Sequence, residues 1–185
     1  MLRINLLVLA VLLLPAVAAA QNEKAASEEK IRSALKAAPE QIAATATIVD
    51  WPAAPGAQPA VLRQGTNGWT CLPDLPVTHG PDPMCIDDQW LKFIDAVGKK
   101  EAPAIDRVGI GYMMSGHAYA SNTDPFAVKE TPDNEWGMDP PHIMVVVPDP
   151  KVLQGMPTKR SPTQPWVMFA GTPYAHIMIP VESRK

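Results

Sequence analysis

The longest apolar block of the chain stands at its start. After Met1, Leu2 and Arg3, the residues from Leu6 to Ala20 run fifteen long without a polar side chain. A helix needs about 20 such residues to cross a bilayer, so the block is short for an anchor. It follows a single positive charge, contains Pro15 and ends in Ala18-Ala19-Ala20, small residues of the kind signal peptidase accepts. That pattern predicts a cleavable leader over residues 1–20, with cleavage before Gln21.

Beyond the leader, the periodicity predicts short elements. Ser27 can cap a helix whose apolar positions Ile31, Ala34, Leu35 and Ala38 fall on one face before Pro39. Thr45 to Trp51 and Ala60 to Gln64 read as strands, and Gly65-Thr66-Asn67-Gly68 as a turn into Trp69 to Leu72, so these three pieces predict a β-meander. Asp87 can cap a second helix with Trp90, Leu91, Ile94 and Val97 inward and Gly98 as its stop, followed by Lys99 and Lys100. Arg107 to Met114 is a strand candidate. Ser115 to Pro141 lacks periodicity and is long for a connection, which predicts a functional or a disordered loop. His142 to Val147, Trp166 to Ala170 and Tyr174 to Pro180 are further strands, with a short helix at Pro150 to Gln154 stopped by Gly155. Strands outnumber helices and lack regular helical crossovers, so the expected fold is α+β: one domain over residues 21–185, an antiparallel sheet with two or more packed helices.

Composition adds two constraints. Without the leader, fifteen basic residues face nineteen acidic ones, a net of −4 with no Lys/Arg run. Nothing in that balance points to nucleic acid or to an anionic membrane surface as partner. Two cysteines, Cys71 and Cys85, both lie in the expected exported part. In an oxidising compartment they predict one disulfide closing a proline-rich loop. With no C-x-x-C and no zinc spacing, thiolate catalysis or ligation is the lesser alternative.

One tripeptide occurs twice on predicted strands, His142-Ile143-Met144 and His176-Ile177-Met178. Side chains alternate along a strand, so each His shares a face with its Met. If the two strands are neighbours in suitable register, two imidazoles and two thioethers converge, a donor set that suits copper(I). The same residues can also serve as core packing, since Met fills gaps and a buried neutral His needs only a backbone partner. A second cluster, Ser115, His117, Ser121 and Asp124, carries hydroxyls, an imidazole and a carboxylate and allows a hydrolase reading. It has no G-x-S-x-G elbow, and Ser-Asn-Thr-Asp before Pro125 also suits an Asx turn. Asp133, Glu135 and Asp139 miss the calcium-loop spacing and read as a solvated acidic loop, and Gly109-Ile110-Gly111 lacks the third glycine of a dinucleotide fingerprint.

Asn67-Gly68-Trp69-Thr70-Cys71, Pro83-Met84-Cys85, Tyr112-Met113-Met114, Ser121 to Pro125, Pro141-His142 and Gly171 to His176 together resemble a family of small exported bacterial proteins of unknown function. The resemblance spans most of the chain beyond the leader and implies export and one domain, but no catalytic residue. The expectations are therefore a periplasmic or secreted binding or accessory module. Its partner would be a small ligand, a metal or an envelope protein, with copper as the candidate cofactor held by His142, Met144, His176 and Met178. The rival readings are a hydrolase using His117 and Asp124, and an interaction module presenting Trp51, Trp69, Trp136 and Trp166.

Overall fold

Good helix formers precede Ser27, and the chain is already helical at residue 21 in the computed structural model, which describes residues 21–54, 57–75, 78–116 and 119–181. The expected leader and His117 lie outside the described residues. The first helix, α1, covers residues 21–34, so Ser27 sits inside it and is not its cap. The helix stops five residues short of Pro39, which stands instead at the N-cap of a short α2, Glu40–Ala43.

Ten strands follow among the described residues: β1 Thr47–Val49, β2 Val61–Arg63, β3 Thr70–Leu72, β4 Met84–Ile86, β5 Gly109–Met113, β6 Tyr119–Ser121, β7 Trp136–Met138, β8 His142–Val146, β9 Trp166–Met168 and β10 His176–Pro180. Eight form one sheet in the order β2-β1-β3-β4-β5-β8-β10-β9, and β6 pairs with β7 in a separate ribbon. The α+β expectation holds coarsely, with a large sheet and few helices. The sheet is mixed, because β1 and β3 run parallel.

That parallel pair replaces the expected meander, and the cause lies at Gly65. A Cβ there would stand 2.2 Å from the backbone of Ala46 and Thr47. Only glycine lets the β2–β3 connection pass so close across the entry to β1. Arg63 holds the crossing by donating to the carbonyls of Ala43 and Ala46, and Thr66 N–H donates to Thr45 O. The chain thus reaches the far side of β1 before laying down β3.

Asp87 caps the third helix, α3, Asp88–Lys99, as expected: its Oδ1 accepts the N–H groups of Gln89 and Trp90 at 3.0 Å each. Its Oδ2 accepts from Ile110 N at 2.7 Å, which fastens the helix start to β5. The buried stripe is Gln89, Trp90, Phe93 and Ala96, and Leu91 is exposed. The helix continues past Gly98 and stops at Lys100, whose φ of 58° is left-handed. Phe93, overlooked in the sequence, carries the stripe because it lies three residues from both Trp90 and Ala96.

The two sheet faces carry different cores. On one, α3 packs with Leu72, Ile86, Met113, Met144, Val146, Trp166, Met168, Tyr174 and Met178. On the other, alanines of α1, α2 and the segment between them cover Ile48, Cys71 and Cys85, and a 3₁₀ turn at Pro150–Leu153 covers Val167. Cys71 and Cys85 face each other across β3 and β4 and are joined in a disulfide.

Candidate metal centre

β8 lies between β5 and β10, and both pairings are antiparallel. The two H-I-M strands are therefore adjacent, as convergence of their imidazoles and thioethers requires. Their register pairs Met144 with Met178 and His142 with Pro180. His176 is thus displaced by four register positions from His142, roughly 13 Å along the strand. The structure brings together Met144 and Met178 beside His142 on one face; His176 stands at the far end of the row.

Register adds a third methionine to the row. Met113 on β5 is the direct partner of His142 across the other side of β8. Directly opposed antiparallel residues point to the same face, and diagonal neighbours about 7–8 Å away remain within reach of long side chains. His142 is therefore neighboured on its face by Met113 opposite, Met144 two residues on, and Met178 on the diagonal. All four are buried: Met113 8%, Met144 5%, Met178 2% and His142 1% exposed. The only signal for Met113 in the sequence was a Met on a strand of unknown neighbours.

Gly111 makes room within this row. It pairs with Met144, and a Cβ on it would lie 2.8 Å from Met144 Cε, 3.2 Å from Ile86 Cγ2 and 3.4 Å from Trp90 Nε1. The Gly109-Ile110-Gly111 segment thus serves close packing of α3 and β8 on β5. Trp90 Nε1 is thereby set beside the end of the Met144 side chain.

The imidazoles share a local device. His142 Nδ1 lies 2.6 Å from Pro140 O, and His176 Nδ1 lies 3.0 Å from Tyr174 O, in each case the carbonyl two residues earlier. A carbonyl oxygen only accepts, so Nδ1 carries the proton and Nε2 of the neutral ring keeps its lone pair. This second contact is how metal-ligating histidines are oriented. Burial pushes the His142 pKa down, the contact with Pro140 opposing it only in part, and brings His176 down to about 4. Both rings are neutral at pH 7.

Their surroundings differ. His176 is ringed by Trp90, Phe93 and Phe169 at centroid distances of 5.1, 5.5 and 5.5 Å. His142 Nε2 is a buried atom with no hydrogen-bond partner, and Trp90 Nε1 is the other such side-chain atom among the described residues. Leaving a buried polar group unpaired costs about 1–3 kcal/mol. Both orphans border the methionine row.

Several of the described polar groups in the 115–141 segment serve to hold its local structure. Arg160 donates to Asp139 Oδ1 at 2.6 Å and to the carbonyls of Glu135 and Ala120 at 3.0 Å each. Asp133 and Glu135 are exposed, as a solvated acidic loop requires, but Asp139 is 3% exposed, and burial raises its carboxyl pKa against the pull of Arg160. Ser121 Oγ donates to Asn134 O and accepts from the N–H groups of Thr123 and Asp124. Asp124 accepts from Phe126 N in an Asx turn, and Ser115 Oγ donates to Lys36 O. Trp166 is buried with its indole N–H on Asn122 Oδ1; Trp51, Trp69 and Trp136 are half-buried, so the four do not form an exposed aromatic surface.

Comparison with protein-family models, curated proteins and solved structures gave no match to this chain.

Proposed function

We propose that the chain is an exported, non-enzymatic binding or accessory module of the cell envelope, periplasmic or secreted, that holds a soft metal ion on its inner His/Met face. The single observation that carries the reading is His142 Nε2: a lone pair fixed in position by the Nδ1 contact with Pro140, buried, without a partner, and bordered by methionines. A ligand there would remove the cost of the orphaned nitrogen. Export and the Cys71–Cys85 crosslink fit the same picture, because thioethers stay available as ligands in an oxidising compartment where thiols pair.

The test is metal analysis of the protein purified from the periplasm of an expression host, beside His142→Gln prepared identically. One equivalent of a soft metal per chain is expected in the wild type and none in the variant. Wild-type protein that emerges without metal, and takes up none on exposure to copper or silver salts, would remove the reading.

A further inference from the structure

Resting on that reading, we infer that the ion is copper(I), and that its donors are one imidazole, His142 Nε2, with the thioether sulfurs of Met113, Met144 and Met178. His176 is outside the set. Register places the three sulfur-bearing residues on three adjacent strands, β5, β8 and β10, around His142 Nε2, a buried nitrogen that lacks a partner. His176 lies four register positions away and is packed instead among Trp90, Phe93 and Phe169.

Charge decides between ions. Three thioethers and a neutral imidazole contribute no negative charge, so the whole charge of the ion must be accommodated in a buried site. The desolvation cost of an ion in a low dielectric grows with the square of its charge, which favours a monovalent ion over a divalent one. Asp139, buried three residues before His142, is already engaged by Arg160. Among the described residues, no group of three His, Cys, Asp or Glu side chains is placed to hold a metal, so the anionic donors that zinc or calcium draw on are not assembled. Soft, uncharged sulfur with one imidazole is the preference of copper(I). Trp90, with its indole nitrogen near the Met144 terminus beside Gly111, forms the wall on the α3 side.

The experiment titrates the disulfide-intact chain with copper(I) held by a competing chelator under ascorbate, following methionine methyl resonances by NMR. One equivalent should be drawn from the chelator, with the methyl signals of Met113, Met144 and Met178 moving together. Met→Leu changes roughly conserve core volume, so Met144→Leu/Met178→Leu should fold and should weaken copper(I) binding by about 100-fold or more, at the top of the range for losing an outer-shell partner. His142→Gln should weaken it at least as much, and His176→Gln by no more than about threefold, about half of a tenfold step in free energy.

Copper(I) uptake that survives the double methionine change, or that falls equally with His176→Gln, overturns the assignment of donors. Uptake of zinc or another divalent ion in place of copper(I), lost with His142→Gln, overturns the inference while the soft or borderline metal face stands. Failure of the wild type to bind any ion overturns both. Should His142→Gln not fold, the double methionine variant carries the test alone.

Discussion

His176 is 3% exposed, and the aromatic rings around it offer no solvation for an imidazolium. Its pKa falls from an ordinary value of 6.5 to about 4, chiefly through burial. The folded chain therefore binds fewer protons at this site than the unfolded chain, and folding is opposed as pH drops. The contribution is complete above about pH 6.5 and is lost as pH falls toward 4, on the order of 3 kcal/mol at about 1.4 kcal/mol per unit. His142 adds an effect of the same sign. Asp82 and Asp139, whose pKa values burial raises, work in the opposite direction, so the informative quantity is a difference. Urea unfolding of wild type and His176→Leu between pH 7 and 4.5 should show the wild type losing stability more steeply. Parallel curves would mean that the imidazole is solvated in the folded chain.

At the scale of elements, Asp87 shows how a sequence signal can understate its role. The cap was legible, because an acid before an apolar i, i+3 pattern is a helix start. Its third bond, Oδ2 to Ile110 N, was not, since it depends on β5 running beneath the helix end. Asp87→Ala should lose about 1 kcal/mol as a cap and a further 1–3 kcal/mol for the backbone donor left unpaired on β5. Chemical denaturation measures that loss, and a cost below about 1 kcal/mol would show that the β5 contact contributes nothing. The same limit explains what else was missed. Met84-Cys85-Ile86 is too short and too closely hedged by proline to read as a strand, yet Cys85 pairs with Cys71 and Tyr112 within it. The β6–β7 ribbon in the aperiodic segment depends on Arg160, a residue beyond β8 that reaches back to Ala120, Glu135 and Asp139. For the candidate metal centre, the faces of the two H-I-M strands were legible from alternation. Which residues meet across strands is a matter of register, and only register separates His176 from the group and adds Met113.

For the molecule as a whole, the strand order places one joint under unusual dependence. β2, β1 and β3 form one end of the large sheet and connect to the β4-β5-β8-β10-β9 part through the β3–β4 pairing. Cys71 and Cys85 bridge that pairing at its centre, both fully buried under the alanines of α1 and α2. With a sequence separation of 14, the crosslink restricts the unfolded chain by about 3 kcal/mol. Cys71→Ala/Cys85→Ala should lose about that amount, and the loss should be uneven. The strands β1 to β3 have one neighbouring pairing to the rest of the sheet, whereas β5, β8 and β10 are each paired on both sides. Native-state hydrogen exchange of the double variant should therefore show the amides of β1 to β3 opening at lower free energy, while those of β5, β8 and β10 open only with global unfolding. Equal loss of protection at both ends would mean that the sheet unfolds as one unit and that the crosslink acts on the unfolded chain alone. Uneven loss would mean that the strands of the candidate metal centre form the more persistent half of the fold, and that the disulfide ties the N-terminal strands to them.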